Sequence, residues 1–200
     1  DVYKRQRELD YAALGARFQG RYGRMDKQVQ ELRRIWAGEE IVSGGGPIGP
    51  TPIRPGGPAL LAGAMGPKSI ARCSHWADGL YAWSGNGEQE ELARTFAMAD
   101  AAWDRAGRDQ KPYRLGGFWY SLADNGPQKL YDYVYEYLAI AGPEIATMMA
   151  ESVHRNSADG VTAALDNAEA AGCEEVFLVP ATAELAEIER LCEVLDRRQG

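Results

Sequence analysis

Apolar side chains recur along this chain at helical and at strand spacing, and the two spacings alternate. Met25, Val29, Leu32 and Trp36 stand at i, i+4, i+7 and i+11. That is one stripe of a helix over 25–36, with Gly38 as its stop. Further on, Pro58-Ala59-Leu60-Leu61-Ala62-Gly63 is apolar without polar alternation, which suits a strand buried on both faces. Ser69 to Ala77 reads as a short helix and Gly79-Leu80-Tyr81-Ala82-Trp83 as a second strand. Leu92, Phe96, Ala99 and Trp103 stripe a helix through 88–106, which Gly107 ends. Tyr113 to Leu122 is the third strand, and its two glycines, Gly116 and Gly117, signal a close backbone approach.

Residues 127–157 read as helix in two pieces, broken near Gly142-Pro143, where proline suits a first turn. Tyr131, Tyr133, Tyr135 and Tyr137 alternate by two, as in a strand. Leu130, Val134, Tyr137 and Leu138 keep the helical period, and the helix is preferred. A helix over 159–171 presents Val161, Ala164, Leu165 and Ala168 and closes at Gly172. Val176 to Val179 is the fourth strand, ended by Pro180, and Leu185, Ile188, Leu191 and Leu195 stripe the last helix. Strands and helices in alternation build an α/β fold on a parallel sheet. Runs without polar alternation ask for cover on both sheet faces. An open four-stranded sheet meets these demands, and so does the C-terminal half of a TIM (β/α)8 barrel, whose complete form takes about 250 residues.

Composition narrows the class. A chain of 200 residues, 45% hydrophobic and 26% charged, has the makings of one folded domain. With 22 Lys and Arg against 29 Asp and Glu, the net charge of −7 argues against nucleic acid or an anionic membrane as partner. No apolar run reaches the roughly 20 residues of a membrane helix. Cys73, Cys173 and Cys192 are widely spaced and odd in number, as expected of free thiols in a cytoplasmic protein. Neither His75 nor His154 has partners at metal-ligand spacing, so no metal is assigned. Residues 43–58 hold six Gly and five Pro, which excludes regular structure and suits a lid, a binding loop or a linker. The opening residues 1–6, Asp1 to Gln6, resemble the in-frame translation of a transposon-end sequencing adapter and are set apart as an artefact. Residues 7–200 are then expected to be a partial domain, a truncated fragment with its N-terminal strands missing, which favours the barrel half.

The main candidate for chemistry is the turn Gly63-Ala64-Met65-Gly66-Pro67-Lys68-Ser69. A glycine-bearing corner between a buried strand and a helix start presents free backbone N–H groups and partial positive charge, which suits a phosphate. An ordinary strand-to-helix turn has the same composition, and the residues alone leave both readings open. Lys68 would add a cation there or sit in solvent. Trp83 and Ser84 lie just past the second strand and Tyr120 near the end of the third, where a barrel carries reactive or ring-contacting groups. Packing is the ordinary role of such rings. Trp119 and Tyr120 are adjacent, so only one of them faces the barrel interior.

Several stretches also carry a family resemblance. Arg21-Tyr22-Gly23-Arg24-Met25-Asp26, continuing through Glu31-Leu32-Arg33-Arg34-Ile35-Trp36-Ala37-Gly38-Glu39, resembles a helix of the luciferase-like monooxygenases. Pro52-Ile53-Arg54-Pro55, the run Pro58 to Pro67, Ser69-Ile70-Ala71-Arg72 and Trp76-Ala77-Asp78-Gly79 are similar to the stretch that follows in that family. Ala170-Ala171-Gly172-Cys173-Glu174-Glu175-Val176-Phe177-Leu178-Val179-Pro180 resembles its last strand. The resemblance implies a TIM barrel that binds FMN or the deazaflavin coenzyme F420 and holds the cofactor phosphate with residues 63–69. It further implies hydride transfer to, or O2-dependent oxygenation of, a small organic substrate, with the loop 43–58 near the substrate mouth. It identifies no catalytic acid, base or nucleophile, because groups acting on flavin and substrate come partly from the first four strands. An oxidoreductase is thus expected of the full-length form, with a homodimer among its assemblies. The alternatives are a non-catalytic flavin-binding barrel relative and an inactive fragment.

Overall fold

The computed structural model describes residues 8–199; the adapter-like residues 1–6 lie outside them. The chain divides after Leu60 into two compact units. The first holds α1 (Glu8–Ala13) and α2 (Arg21–Trp36). Helix α2 starts a turn before the apolar stripe does, because Arg21 to Arg24 form a mainly polar first turn that apolar spacing cannot register. Its stop is as expected, with Gly38 at φ +79°. Residues 43–58 contain neither helix nor strand.

The second unit runs β1 (Leu61–Gly63), α3 (Pro67–Cys73), β2 (Gly79–Trp83), α4 (Gln89–Arg105), β3 (Tyr113–Tyr120), α5 (Gly126–Leu138), a 3-10 turn (Ala139–Ala141), α6 (Pro143–Ser152), α7 (Ala158–Ala170), β4 (Glu175–Pro180) and α8 (Leu185–Gln199). All four strands are parallel and lie in the order β1-β2-β3-β4. Two boundaries differ from expectation at the first crossover. Strand β1 keeps only the last three residues of its apolar run. Helix α3 begins at Pro67 and ends at Cys73, where the N–H groups of Trp76 and Ala77 both turn back to the Cys73 carbonyl. The tyrosine-rich segment is helical, and its rings stack in pairs four apart, Tyr131 on Tyr135 and Tyr133 on Tyr137, each with centroids 6.1 Å apart. Residues 153–157 are not the helix end that was expected, but an extended connection into α7.

Strand order decides where the core sits. When each strand is added on the same side of its predecessor, crossovers of one hand place their helices on one face of the sheet. The packing agrees. Ala62 and Leu80 pack with Ile70, Cys73, Ala99 and Trp103 of α3 and α4. Ala82 meets Leu92 and Phe96 of α4 with Ala168 of α7. Phe118 and Tyr120 meet Val161, Ala164 and Leu165 of α7 and Leu191 and Val194 of α8. By strand alternation the opposite face carries Tyr81, Trp83, Gly117, Trp119, Phe177 and Val179. Cover on both faces was expected, yet β4 leaves Phe177 49% exposed on this second face. The pair α5–α6 stands apart from the helical layer and packs around Trp119 instead, with Leu130, Val134 and Ala150 buried between them.

Candidate functional site

The carboxyl ends of the parallel strands converge with the starts of the helices that follow, so their loops gather at one end of the sheet. At the corner after β1, Gly63 is exposed, Ala64 is buried and Met65 points outward, 54% exposed. Gly66 lies in extended backbone (φ −108°, ψ 154°) ahead of Pro67. Ser69 closes the corner on itself: its Oγ accepts from the Gly66 N–H at 3.3 Å and donates to the Gly66 carbonyl at 2.9 Å. The glycine has no side chain with which to cap the helix in return. Among the described residues, nothing accepts from the N–H groups of Met65, Lys68 or Ser69. A side chain added at Gly63 would meet nothing within 4 Å. The corner therefore offers unpaired donors beside open space, with Lys68 exposed on its rim, and this donor set fits an anionic group such as a cofactor phosphate.

The ring-side candidates divide. Trp83 sits partly exposed on the second face, beside the α5–α6 cluster, its ring edge-on to Trp119 with centroids 4.6 Å apart. Ser84 is buried and committed locally. Its Oγ accepts from the Glu88 N–H at 2.9 Å and donates to Glu91 at 2.6 Å, closing the entry to α4. Tyr120 lies on the helix-covered face, wholly buried among α7 and α8 residues. Of the adjacent pair, Trp119 therefore takes the second face, and Tyr120 is not beside a ring bound there. Burial pushes the Tyr120 phenol up to about 12, with the charge of Glu187 adding to it. Its hydroxyl has no hydrogen-bond partner among the described residues.

The second face is aromatic and built around a glycine. Tyr81 leans across Gly117 towards Phe177, with centroids 5.7 Å apart, and a Cβ at Gly117 would fall 2.8 Å from Tyr81 Cε2. Tyr137 of α5 reaches Trp119 at 5.8 Å. His75 is exposed in the turn after α3, and His154 lies in the extended connection with its ring 3.9 Å from Glu88. Sequence reasoning missed Asn86, Arg155 and Glu187. Arg155, 8% exposed, donates to the Asn86 carbonyl at 2.6 Å and to Glu88 at 2.8 Å. Glu187 is fully buried and accepts from the Leu122 N–H. Asn86-Gly87 reads in sequence only as a turn, and Glu187 as one more polar position on an amphipathic helix.

A parallel α/β sheet with a donor-rich corner at its carboxyl end and one aromatic face is the frame these residues define. The chain belongs to the luciferase-like monooxygenase family, whose sequence profile matches residues 5–181. No protein of curated function matches it. Its fold is similar to that of a monooxygenase from Streptomyces bottropensis (20% identity, TM-score 0.63), covering 92% of this chain and 62% of that one. It is also similar to an F420-dependent secondary alcohol dehydrogenase in complex with an F420–acetone adduct (16% identity, TM-score 0.60, covering 88% and 62%). A riboflavin lyase with modified FMN and riboflavin aligns at 14% identity and TM-score 0.63, covering 94% and 61%. The chain thus spans about three fifths of the length of each. Among the described residues, no helix is long and apolar enough to cross a membrane.

Proposed function

We propose that this chain is the C-terminal half of a (β/α)8 barrel and contributes the cofactor-phosphate corner of an FMN- or F420-dependent oxidoreductase. The half-barrel reading is supported by the strand order, because sequential addition without reversal is how a barrel grows, whereas an open doubly wound sheet reverses its order partway. The aromatic face, which α5–α6 cover around Trp119 and which leaves Phe177 half-exposed, is then the barrel interior. The observation that carries the functional reading is the set of N–H groups at Met65, Lys68 and Ser69, unpaired among the described residues.

In this reading the backbone at Met65, Lys68 and Ser69 binds the phosphate, Lys68 adds charge at the rim, and Trp83 borders the ring system. The cofactor would supply hydride transfer or activation of O2. The protein's own residues bind, orient and exclude water: Trp83 and Tyr137, both backed by the buried Trp119, present hydrocarbon to the site. Its substrate is a small organic molecule, and a homodimer suits the longer form.

Gly66→Asp tests the reading. Position 66 has backbone angles open to any residue, and a Cβ there meets only Ser69 Oγ at 3.8 Å. The carboxylate is therefore expected to leave the fold intact and to weaken FMN or F420 binding at least about tenfold through like-charge repulsion. Gly66→Ala should bind as the parent does. Titration of each cofactor by fluorescence decides it; equal affinity for the Asp variant and the parent sinks the phosphate assignment.

A further inference from the structure

The α5–α6 hairpin is tied at both feet by polar contacts from other elements. At its entry the chain leaves β3 past the start of α8, where Glu184, Glu187 and Arg190 recur every third residue. Lys129 Nζ lies 2.7 Å from Glu184, Arg190 lies 3.6 Å from Asp124, and the Leu122 N–H donates to Glu187. Leu122 is just past the β3–β4 ladder, which ends at Tyr120 and Pro180. Its N–H has left the strand partner behind, and a buried carboxylate replaces it. At the exit, Asn86 from the loop after β2 donates through Nδ2 to the Ser152 carbonyl at 2.8 Å. Through Oδ1 it accepts from the His154 N–H at 2.9 Å. The Ser121 N–H donates to the Arg155 carbonyl at 3.0 Å, joining the two feet. Between them Tyr137 touches Trp119, and Trp119 touches Trp83.

We propose that Glu187 and Asn86 are positioning residues: they fix the α5–α6 hairpin as a stationary wall and, through Tyr137 and Trp119, set the angle at which the Trp83 indole meets the second face. A swinging lid needs a free foot. Releasing the entry foot would strand the buried Glu187 carboxylate, while at the exit the paired bonds of Asn86, in exposed surroundings, hold the backbone by their geometry. Both residues present the hydrogen-bonding pattern that a mobile backbone segment needs in order to stop moving. Glu187 uses one carboxylate oxygen as acceptor, its Oε2 being buried without a partner among the described residues, and Asn86 supplies a donor and an acceptor side by side. The consequence for cofactor binding rests on the functional reading above; the geometry of the wall does not.

Glu187→Gln, Glu187→Ala and Asn86→Asp in the full chain provide the test. Three signals are read: the circular-dichroism couplet of the edge-on Trp83–Trp119 pair, amide exchange over 121–129 and 152–156, and affinity for FMN and for F420. Glu187→Gln keeps the acceptor and is expected to match the parent in all three. Glu187→Ala and Asn86→Asp should diminish the couplet and speed exchange at their own foot roughly tenfold, with a similar loss in affinity, as for one lost hydrogen bond. If Glu187→Ala leaves the couplet and exchange unchanged, or if Gln is as damaging as Ala, the proposal is overturned. Should Glu187→Ala fail to fold, Asn86→Asp alone decides: an unchanged couplet overturns the proposal, and a diminished one with local exchange supports it. If the parent binds neither cofactor while couplet and exchange respond as stated, the functional reading fails and the wall stands.

Discussion

Tyr120 and Trp119 are neighbours in sequence and opposites in environment. The hydroxyl of Tyr120 is buried without a partner among the described residues, so its removal costs no hydrogen bond there. Tyr120→Phe is expected to be neutral or stabilising by up to about 1 kcal/mol at pH 7, measured by urea denaturation. The alkaline behaviour has a definite sign. The folded-state phenol is raised from 10.0 to about 12 and the Cys173 thiol from 9.0 to about 11, burial being the leading cause for both. The unfolded chain therefore releases these protons first. Their contribution is whole below pH 9 and is lost as pH rises through the folded values, at about 1.4 kcal/mol per pH unit for each group within its window. Tyr120→Phe should flatten the decline between pH 10 and 12; an unchanged slope would count against the burial argument. That one of the pair faces the helices was legible from strand alternation. Which one was not, because the phase of β3 is set by its ladder with β2 and β4.

Among the elements, the entry to α4 illustrates how a residue in a suggestive place can be fully employed elsewhere. Ser84 stands just past a strand end, as a ring-contacting group should, yet both hydrogen bonds of its hydroxyl are to Glu88 and Glu91. Ser84→Ala is expected to lower stability by about 1–2 kcal/mol and to leave cofactor affinity unchanged. A thermal melt beside a cofactor titration separates the two; loss of affinity without loss of stability would return Ser84 to the ring-side set. Periodicity located the helices well, and the tyrosine run resolved as helix because spacings of four stack rings on one side. It carried the helix through 153–157, where the chain is extended, and it was silent on Glu187. A buried carboxylate and a solvated one occupy the same polar position of an amphipathic pattern, and only the neighbouring loop tells them apart.

For the molecule as a whole, the outer strands β1 and β4 each pair with one neighbour among the described residues, and Phe177 lies half-exposed on the aromatic face. Edges and apolar faces of this kind invite association with other chains. The chain is expected to self-associate at micromolar concentration in sedimentation velocity, and Phe177→Glu to shift it towards monomer. A concentration-independent monomer for the parent would contradict the half-barrel reading. By itself the sequence determined the alternation of strands and helices, the glycine-bearing corner after β1 and the family, because these depend on side-chain periodicity and local backbone chemistry. Only the tertiary structure decided that the strands add in order with helices on one face, that Trp119 rather than Tyr120 takes the other, and that Asn86 and Glu187 tie down α5–α6. Those outcomes depend on contacts between residues some 65 positions apart, whose partners no local pattern can specify.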